Sequence, residues 1–333
     1  MKQTCLGGCS TKLDSERLVN ILKEINKNSK SQLTGLNNED CSIYPISESQ
    51  FLVESMDFFP MISDDLFTFG QITACNSISD IYAMGAKPLY ALNILSVTKG
   101  MTNEEIVELL KGVKSILDPL NIPIEGGHTI VGEQLLCGLN VAGIVNKEDL
   151  KKNNTAKDGD ILTITKPLGF GACMTAKSVD DIKPETYKKA LKWMTTPNNI
   201  TSALGVKHQA TSSTDITGFG LIGHLKECLT NTQNSAYIDS KKLPIIDDVL
   251  YFFDNFYFSG AGASNRRNYE HCVEYLNPIG LSYEEVLFDP QTSGGLICTF
   301  TKENWEKMSK EDKGNFFEIG HIKSDKKNKI YIQ

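Results

Sequence analysis

Four aspartates and one cysteine–lysine pair are the residues of this sequence whose types and settings suit chemistry. Asp40 closes a polar stretch just ahead of an apolar run, and Asp57 directly follows the run 51–56. Asp80 comes four residues after Asn76, so on one helix the two would share a face, with Ser77 and Ser79 beside them and no Lys or Arg. Asp215 precedes Thr217-Gly218-Phe219-Gly220. Brought together, four such carboxylates would repel one another unless cations neutralised them. Oxygen-only ligands of this kind suit Mg²⁺ carrying phosphates rather than zinc. Taken singly, each reads as well as a cap or turn residue, and Asp215 would make a good cap. In Gly7-Gly8-Cys9-Ser10-Thr11-Lys12, a lysine three residues from Cys9 would favour a reactive thiolate, or screen phosphate charge.

Weaker signals surround these. Cys5 and Cys9 could be half of a zinc site, but no second pair has matching spacing, and His271-Cys272 are adjacent. Gly126-Gly127-His128-Thr129, Gly218-Phe219-Gly220 and Gly294-Gly295 read as turns whose backbone N–H groups can approach a ligand. None is a P-loop or dinucleotide fingerprint. His128 and His224 read as hydrogen-bonded structural histidines.

The elements that must position these residues follow from periodicity. Strands are expected at 42–46, 50–56, 89–97, 135–145 and 161–165, and a helix over 67–84 that stops at Gly85-Ala86-Lys87-Pro88. Thr102-Asn103-Glu104-Glu105 is a capping box opening a helix with Ile106, Leu109, Leu110, Val113, Ile116 and Leu117 on one face. Helical segments are expected through 209 and near 218–229, and short strands over 319–332. The charged segment 146–160 is the best boundary. The expected architecture is an α/β domain followed by an α+β domain: an arm over 1–36, then 37–157 and 158–333.

Composition narrows the function. Of 333 residues, 40% are hydrophobic and 23% charged, enough for a sizeable core. A net charge of −7, from 34 Lys and Arg against 41 Asp and Glu, argues against a generic nucleic-acid binder. Nine cysteines, odd in number and scattered, do not form a disulfide framework. The first residues lack the apolar core of a secretory signal, and no apolar run approaches the roughly 20 residues that span a bilayer. The expectation is a soluble, reduced, cytoplasmic protein with no membrane and no nucleic-acid partner.

The segments GCSTK (8–12), EDCSIY (39–44), SMDFFP (55–60), FGQITACNSISDIYAMGAKPLYALNIL (69–95), EGGHT (125–129), TKPLG (165–169), TDITGFGLIGHL (214–225) and DPQTSGGL (289–296) together resemble the selenophosphate synthetase family. That family belongs to the aminoimidazole-ribonucleotide-synthetase-like ATP-binding superfamily. The blocks occur in family order over nearly the whole chain. The resemblance implies conversion of ATP, selenide and water to selenophosphate, orthophosphate and AMP, on a two-domain fold whose N-terminal sheets pair in a homodimer. ATP would lie in the cleft between domains, several Mg²⁺ ions would accompany it, and potassium is a further candidate. Selenium would arrive as free selenide or from a protein donor. By motif, Cys9 and Lys12 match the catalytic positions and Asp40, Asp80 and Asp215 the metal ligands. Lys12, Asn37, Asn38, Glu39, Asp57, Asp80, Gly127, His128 and Thr129 match ATP contacts. Thr11 stands where many bacterial members carry a second cysteine, so a redox pair there is not expected. The role of the 265–268 segment does not follow from the resemblance. The competing readings are an ADP-forming kinase or synthetase of the same superfamily, which should lack the GCSTK arm, and a non-catalytic selenium carrier.

Overall fold

The computed structural model describes Gly8, residues 15–27 and residues 39–333. Cys5, Cys9, Lys12, Asn37 and Asn38 lie outside the described residues.

Alternating apolar residues build a first sheet from β1 (Ser42–Pro45), β2 (Gln50–Pro60), β3 (Lys87–Thr98), β4 (Ile124–Gly132) and β5 (Leu136–Asn146), in the order β1-β2-β5-β3-β4. All pairs are antiparallel except β3 with β4. Val53, Asp57 and Phe59 on β2 are buried, while Met56 and Phe58 on the opposite face are exposed. Helices Leu66–Ser77 and Asn103–Leu117 pack together, and the first also lies against β2 and β5. The second opens with the expected capping box, Thr102 accepting from the Glu105 N–H while the Glu105 carboxylate accepts from the Thr102 N–H. The helices cross at glycines: a Cβ on Gly70 would come 2.1 Å from the Leu109 carbonyl oxygen, and one on Gly112 2.0 Å from that of Phe67.

Three readings of this half are corrected. Helix 67–84 is two helices, Leu66–Ser77 and Ser79–Ala83, broken at Ile78. Asn, Ser and Ser around the break compete with backbone bonding, and here their side chains bond to other segments instead. Asp57 is inside β2 and not beyond its end. Gly126-Gly127-His128-Thr129 is no turn but part of β4, an edge strand exposed almost throughout. Gly127 is required there because a Cβ would meet the Asn93 backbone at 2.1 Å.

Residues 147–160 carry neither helix nor strand and lead to a second sheet. It comprises β6 (Ile161–Ile164), β7 (Ser212–Asp215), β8 (Asn234–Ile238), β9 (Val273–Tyr275), β10 (Leu296–Phe300), β11 (Phe317–Ser324) and β12 (Ile330–Ile332), ordered β7-β10-β6-β11-β8-β12-β9. Only β12 pairs in parallel, with β8 and β9. Phe170, Phe252, Phe288 and Phe300 are fully buried in this half. One buried apolar cluster runs from Val53, Phe69 and Leu139 to Ile164, Leu221 and Phe288, so the two sheets share a core. Helices Pro184–Met194, Asn199–Lys207 and Gly220–Leu229 fall where periodicity placed helical segments. The 265–268 segment is helical, within Gly260–Tyr269. The Asn265 amide donates to the carbonyls of Gly218 and Phe288, tying the turn after β7 to the end of helix Leu281–Phe288.

Candidate active site

Three of the predicted aspartates meet. Asp40 precedes β1, Asp80 lies in the first turn of helix Ser79–Ala83, and Asp215 ends β7, so both halves of the chain contribute. One carboxylate oxygen of each lies within 4.8 Å of the others. The Thr214 hydroxyl donates to Asp40 Oδ1 at 2.7 Å, linking the polar stretch to β7. Ser55 on β2 donates to Asp80. Asp40 Oδ2 is buried and has no hydrogen-bond partner among the described residues. Burial first, then the charges of Asp215 and Asp80, push the Asp40 carboxyl well above the ordinary carboxylate range. Three carboxylate oxygens within 4.8 Å of one another, beside a buried Asp40 Oδ2 that no donor meets among the described residues, are a donor set that a hard divalent cation fits.

The fourth aspartate is adjacent to this cluster through β2. Asp57 points to the helix side of the sheet, two residues from Ser55. Its Oδ2 accepts from the Asn76 amide at 2.8 Å, and its carbonyl accepts from the Ser77 hydroxyl. Asn76 Oδ1 in turn accepts from the Ser293 N–H at 2.8 Å, so the 289–296 segment reaches across to the first sheet. Gly8 belongs to the same neighbourhood. It is buried with φ +66°, and a Cβ there would come 2.4 Å from Ile62 Cδ1 and 2.6 Å from Thr292 Oγ1. The glycine before Cys9 therefore docks against the 289–296 segment.

Other predicted residues lie elsewhere. The Glu39 carboxylate accepts from the Asn153 N–H at 3.3 Å, and burial raises its pKa. Gly127, His128 and Thr129 are not brought to the cluster. They sit on the edge strand, separated from β2 by β5 and β3, three strand spacings or roughly 14 Å away. His224 is structural: its Nε2 accepts from the Thr217 N–H at 3.0 Å and holds the turn after β7. Gly294 and Gly295 pack against neighbouring backbone. A Cβ on either would strike Ile216 or Lys166, so they let the segment lie flat on its neighbours. All seven described cysteines are free and buried, and burial, opposed by the charge of Lys166, pushes Cys75 up to about 12.

Sequence reasoning missed Lys166, Asn198 and Ser293. Lys166 is 2% exposed, and its ammonium donates to the carbonyls of Thr196 and Ser293. The available signal was a lysine inside the apolar stretch ILTITKPLGF, where a charged group must find internal partners.

Comparisons with known proteins identify the family and the fold. The AIR synthase related protein N-terminal domain family matches residues 38–145, and its C-terminal domain counterpart matches 157–333. The selenide, water dikinase of Carboxydothermus hydrogenoformans is 38% identical over 98% of this chain and 96% of its own. That of Treponema denticola is 37% identical over 91% and 86%. The chain belongs to the selenide, water dikinase family. Among solved structures, the thiamine monophosphate kinase of Aquifex aeolicus aligns with a TM-score of 0.71 at 17% identity, over 96% of this chain and 98% of that one. The hydrogenase maturation protein HypE in complex with ATP gives 0.62 at 16%, over 95% and 88%. At such identities these likenesses establish the fold, which selenide, water dikinases thus share with other AIR synthase-like proteins.

Proposed function

We propose that this protein makes selenophosphate from ATP, selenide and water, releasing AMP and orthophosphate. The observation that carries the reading is the meeting of Asp40, Asp80 and Asp215, from three separate segments, in a chain whose curated relatives are named selenide, water dikinases at 34–38% identity. Asp40, Asp80 and Asp215 hold the Mg²⁺ ions that accompany ATP. When bound, those ions supply charge neutralisation and alignment of the phosphates, which is most of what phosphoryl transfer requires. Asp57, fixed by Asn76, faces the nucleotide side of the same cluster, and Asp80 serves both metal and nucleotide.

The remaining roles are proposed on the resemblance. Cys9 holds or delivers selenium as a soft thiolate nucleophile, and Lys12 adds positive charge as the transferring group becomes negative. Asn37, Asn38 and Glu39 contact the nucleotide, as do Gly127, His128 and Thr129, whose contact, from edge strand β4, is with a part of the nucleotide away from the aspartates. The selenium source is free selenide or a protein donor, and K⁺ is a further candidate cation. We also propose a homodimer formed through the first sheet. The exposed Met56 and Phe58 on its outer face, with Ile130 and Val131 on edge strand β4, support that pairing. No described helix is long and apolar enough to cross a membrane. A cytoplasmic location is part of the proposal.

Anaerobic incubation with Mg·ATP and selenide should yield AMP in proportion to the selenide supplied, read by ion-exchange chromatography of the nucleotides. ADP as the only nucleotide product would reassign the protein to a one-step kinase of the same superfamily.

A further inference from the structure

Lys166 follows β6, is nearly inaccessible to solvent, and is used by none of the steps above. A buried ammonium is costly unless its protons are taken up. Here the Thr196 carbonyl accepts one at 2.6 Å and the Ser293 carbonyl another at 2.9 Å. Burial pushes this group down to about 8, against the opposing influence of Cys75 and Asp215. Each of the two segments it clamps continues to a residue at the aspartates. From Ser293 the path is N–H to Asn76 Oδ1, then Asn76 Nδ2 to Asp57 Oδ2, both at 2.8 Å. Two residues from Thr196, the Asn198 amide donates to the Gly294 carbonyl at 2.9 Å and to the Ser79 hydroxyl at 3.0 Å, and Ser79 is the residue before Asp80. Ser293 is held at φ +57°, a left-handed conformation that a residue with a side chain keeps only when its surroundings impose it.

We infer that Lys166 is a positioning residue: by clamping the Thr196 and Ser293 carbonyls it fixes the two hydrogen-bonded paths, Ser293–Asn76–Asp57 and Asn198–Ser79, that hold Asp57 and Asp80 in place across the junction of the two sheets. The ammonium itself touches no substrate in this account. Its effect passes through the 293–294 backbone, which is why the two glycines that follow Ser293 must pack flat against Ile216 and Lys166. The inference rests on the reading of Asp57 and Asp80 as nucleotide and metal residues for its functional consequence, but not for its structural content.

The test compares the full-length wild type with Lys166→Met, a side chain of similar length without charge. Hydrogen exchange followed by mass spectrometry reads the paths directly. Exchange should rise in peptides covering 289–296 and also in those covering 74–81, on the other sheet's helices. Equilibrium Mn²⁺ binding, followed by the electron paramagnetic resonance of free Mn²⁺, should weaken roughly tenfold, the low end of what losing a ligand's support costs. The Mg²⁺ concentration for half-maximal turnover should rise by about the same factor, in protein that circular dichroism shows to be folded at the assay temperature. A purely structural lysine would lower the melting temperature and leave metal dependence alone. Exchange changes confined to the surroundings of 166 and 196 would overturn the inference, as would unchanged exchange. If Lys166→Met does not fold, Lys166→Leu, which likewise carries no N–H donor, is measured identically and judged by the same peptides. Absence of selenide-dependent turnover in the wild type would count against the proposed function, and hydrogen exchange would still decide the role of Lys166.

Discussion

At the scale of single residues, the site concentrates negative charge where no hydrogen-bond donor meets Asp40 Oδ2 among the described residues, and this has two measurable consequences. Removing one carboxylate while keeping its shape removes a ligand: Asp80→Asn should cost roughly 100-fold or more in Mg-dependent turnover, with the circular dichroism spectrum unchanged. The second consequence concerns protons. Burial and two neighbouring carboxylates hold the metal-free Asp40 pKa above its ordinary value, so below that raised pKa the carboxyl is protonated and a metal ion must displace the proton. Mg²⁺ affinity should therefore climb as pH rises through the raised pKa and level off above it. Calorimetry in two buffers of different ionisation heat should show proton release on the rising part, and pH-independent binding would contradict the account. Asp40 and Asp215 stood out in the sequence by their places at element ends and Asp80 by a helix face without Lys or Arg, and the family resemblance singled out all three. Lys166 was not, because only the fold shows which carbonyls take up its protons.

At the scale of elements, backbone proximity sets the positions of the helices that carry the site. Gly112 meets the Phe67 carbonyl where the two helices cross, so helix Leu66–Ser77, and with it Asn76, depends on a residue with no side chain. Gly112→Ala should cost about 2 kcal/mol of stability through overpacking, more than the ~1 kcal/mol alanine gains in helix propensity. Thermal denaturation should show the loss, while kcat of the folded fraction stays near wild type. The strands with clean alternation and the capped helix were readable from sequence. β4 was not, because Gly126-Gly127 interrupts its alternation and its exposed edge position leaves no buried face to signal it. The break at Ile78 was hidden for a different reason: apolar spacing continues through it, and only tertiary partners for Asn76, Ser77 and Ser79 make the second start favourable.

At the scale of the molecule, two sheets share one apolar core, and the candidate site lies where segments of both halves meet. The chain order of the motifs made that arrangement readable in outline, since the aspartates fall on both sides of the 146–160 segment. Which loop bridges the halves was not readable, because the DPQTSGGL motif does not show that Ser293 meets Asn76, and Asn198 carries no local signature. The outer face of the first sheet belongs to this scale as well. Phe58 is 52% exposed there, and Phe58→Asp should convert a dimer to a monomer in sedimentation velocity, whereas a monomeric wild type would remove the proposed pairing. The central claim is the reaction itself, and anaerobic ³¹P NMR of the purified protein with Mg·ATP, with and without selenide, tests it most directly. The account predicts selenophosphate, orthophosphate and AMP appearing together only when selenide is present. ADP as the sole nucleotide product, or no ATP consumption by folded, metal-loaded protein, would contradict it.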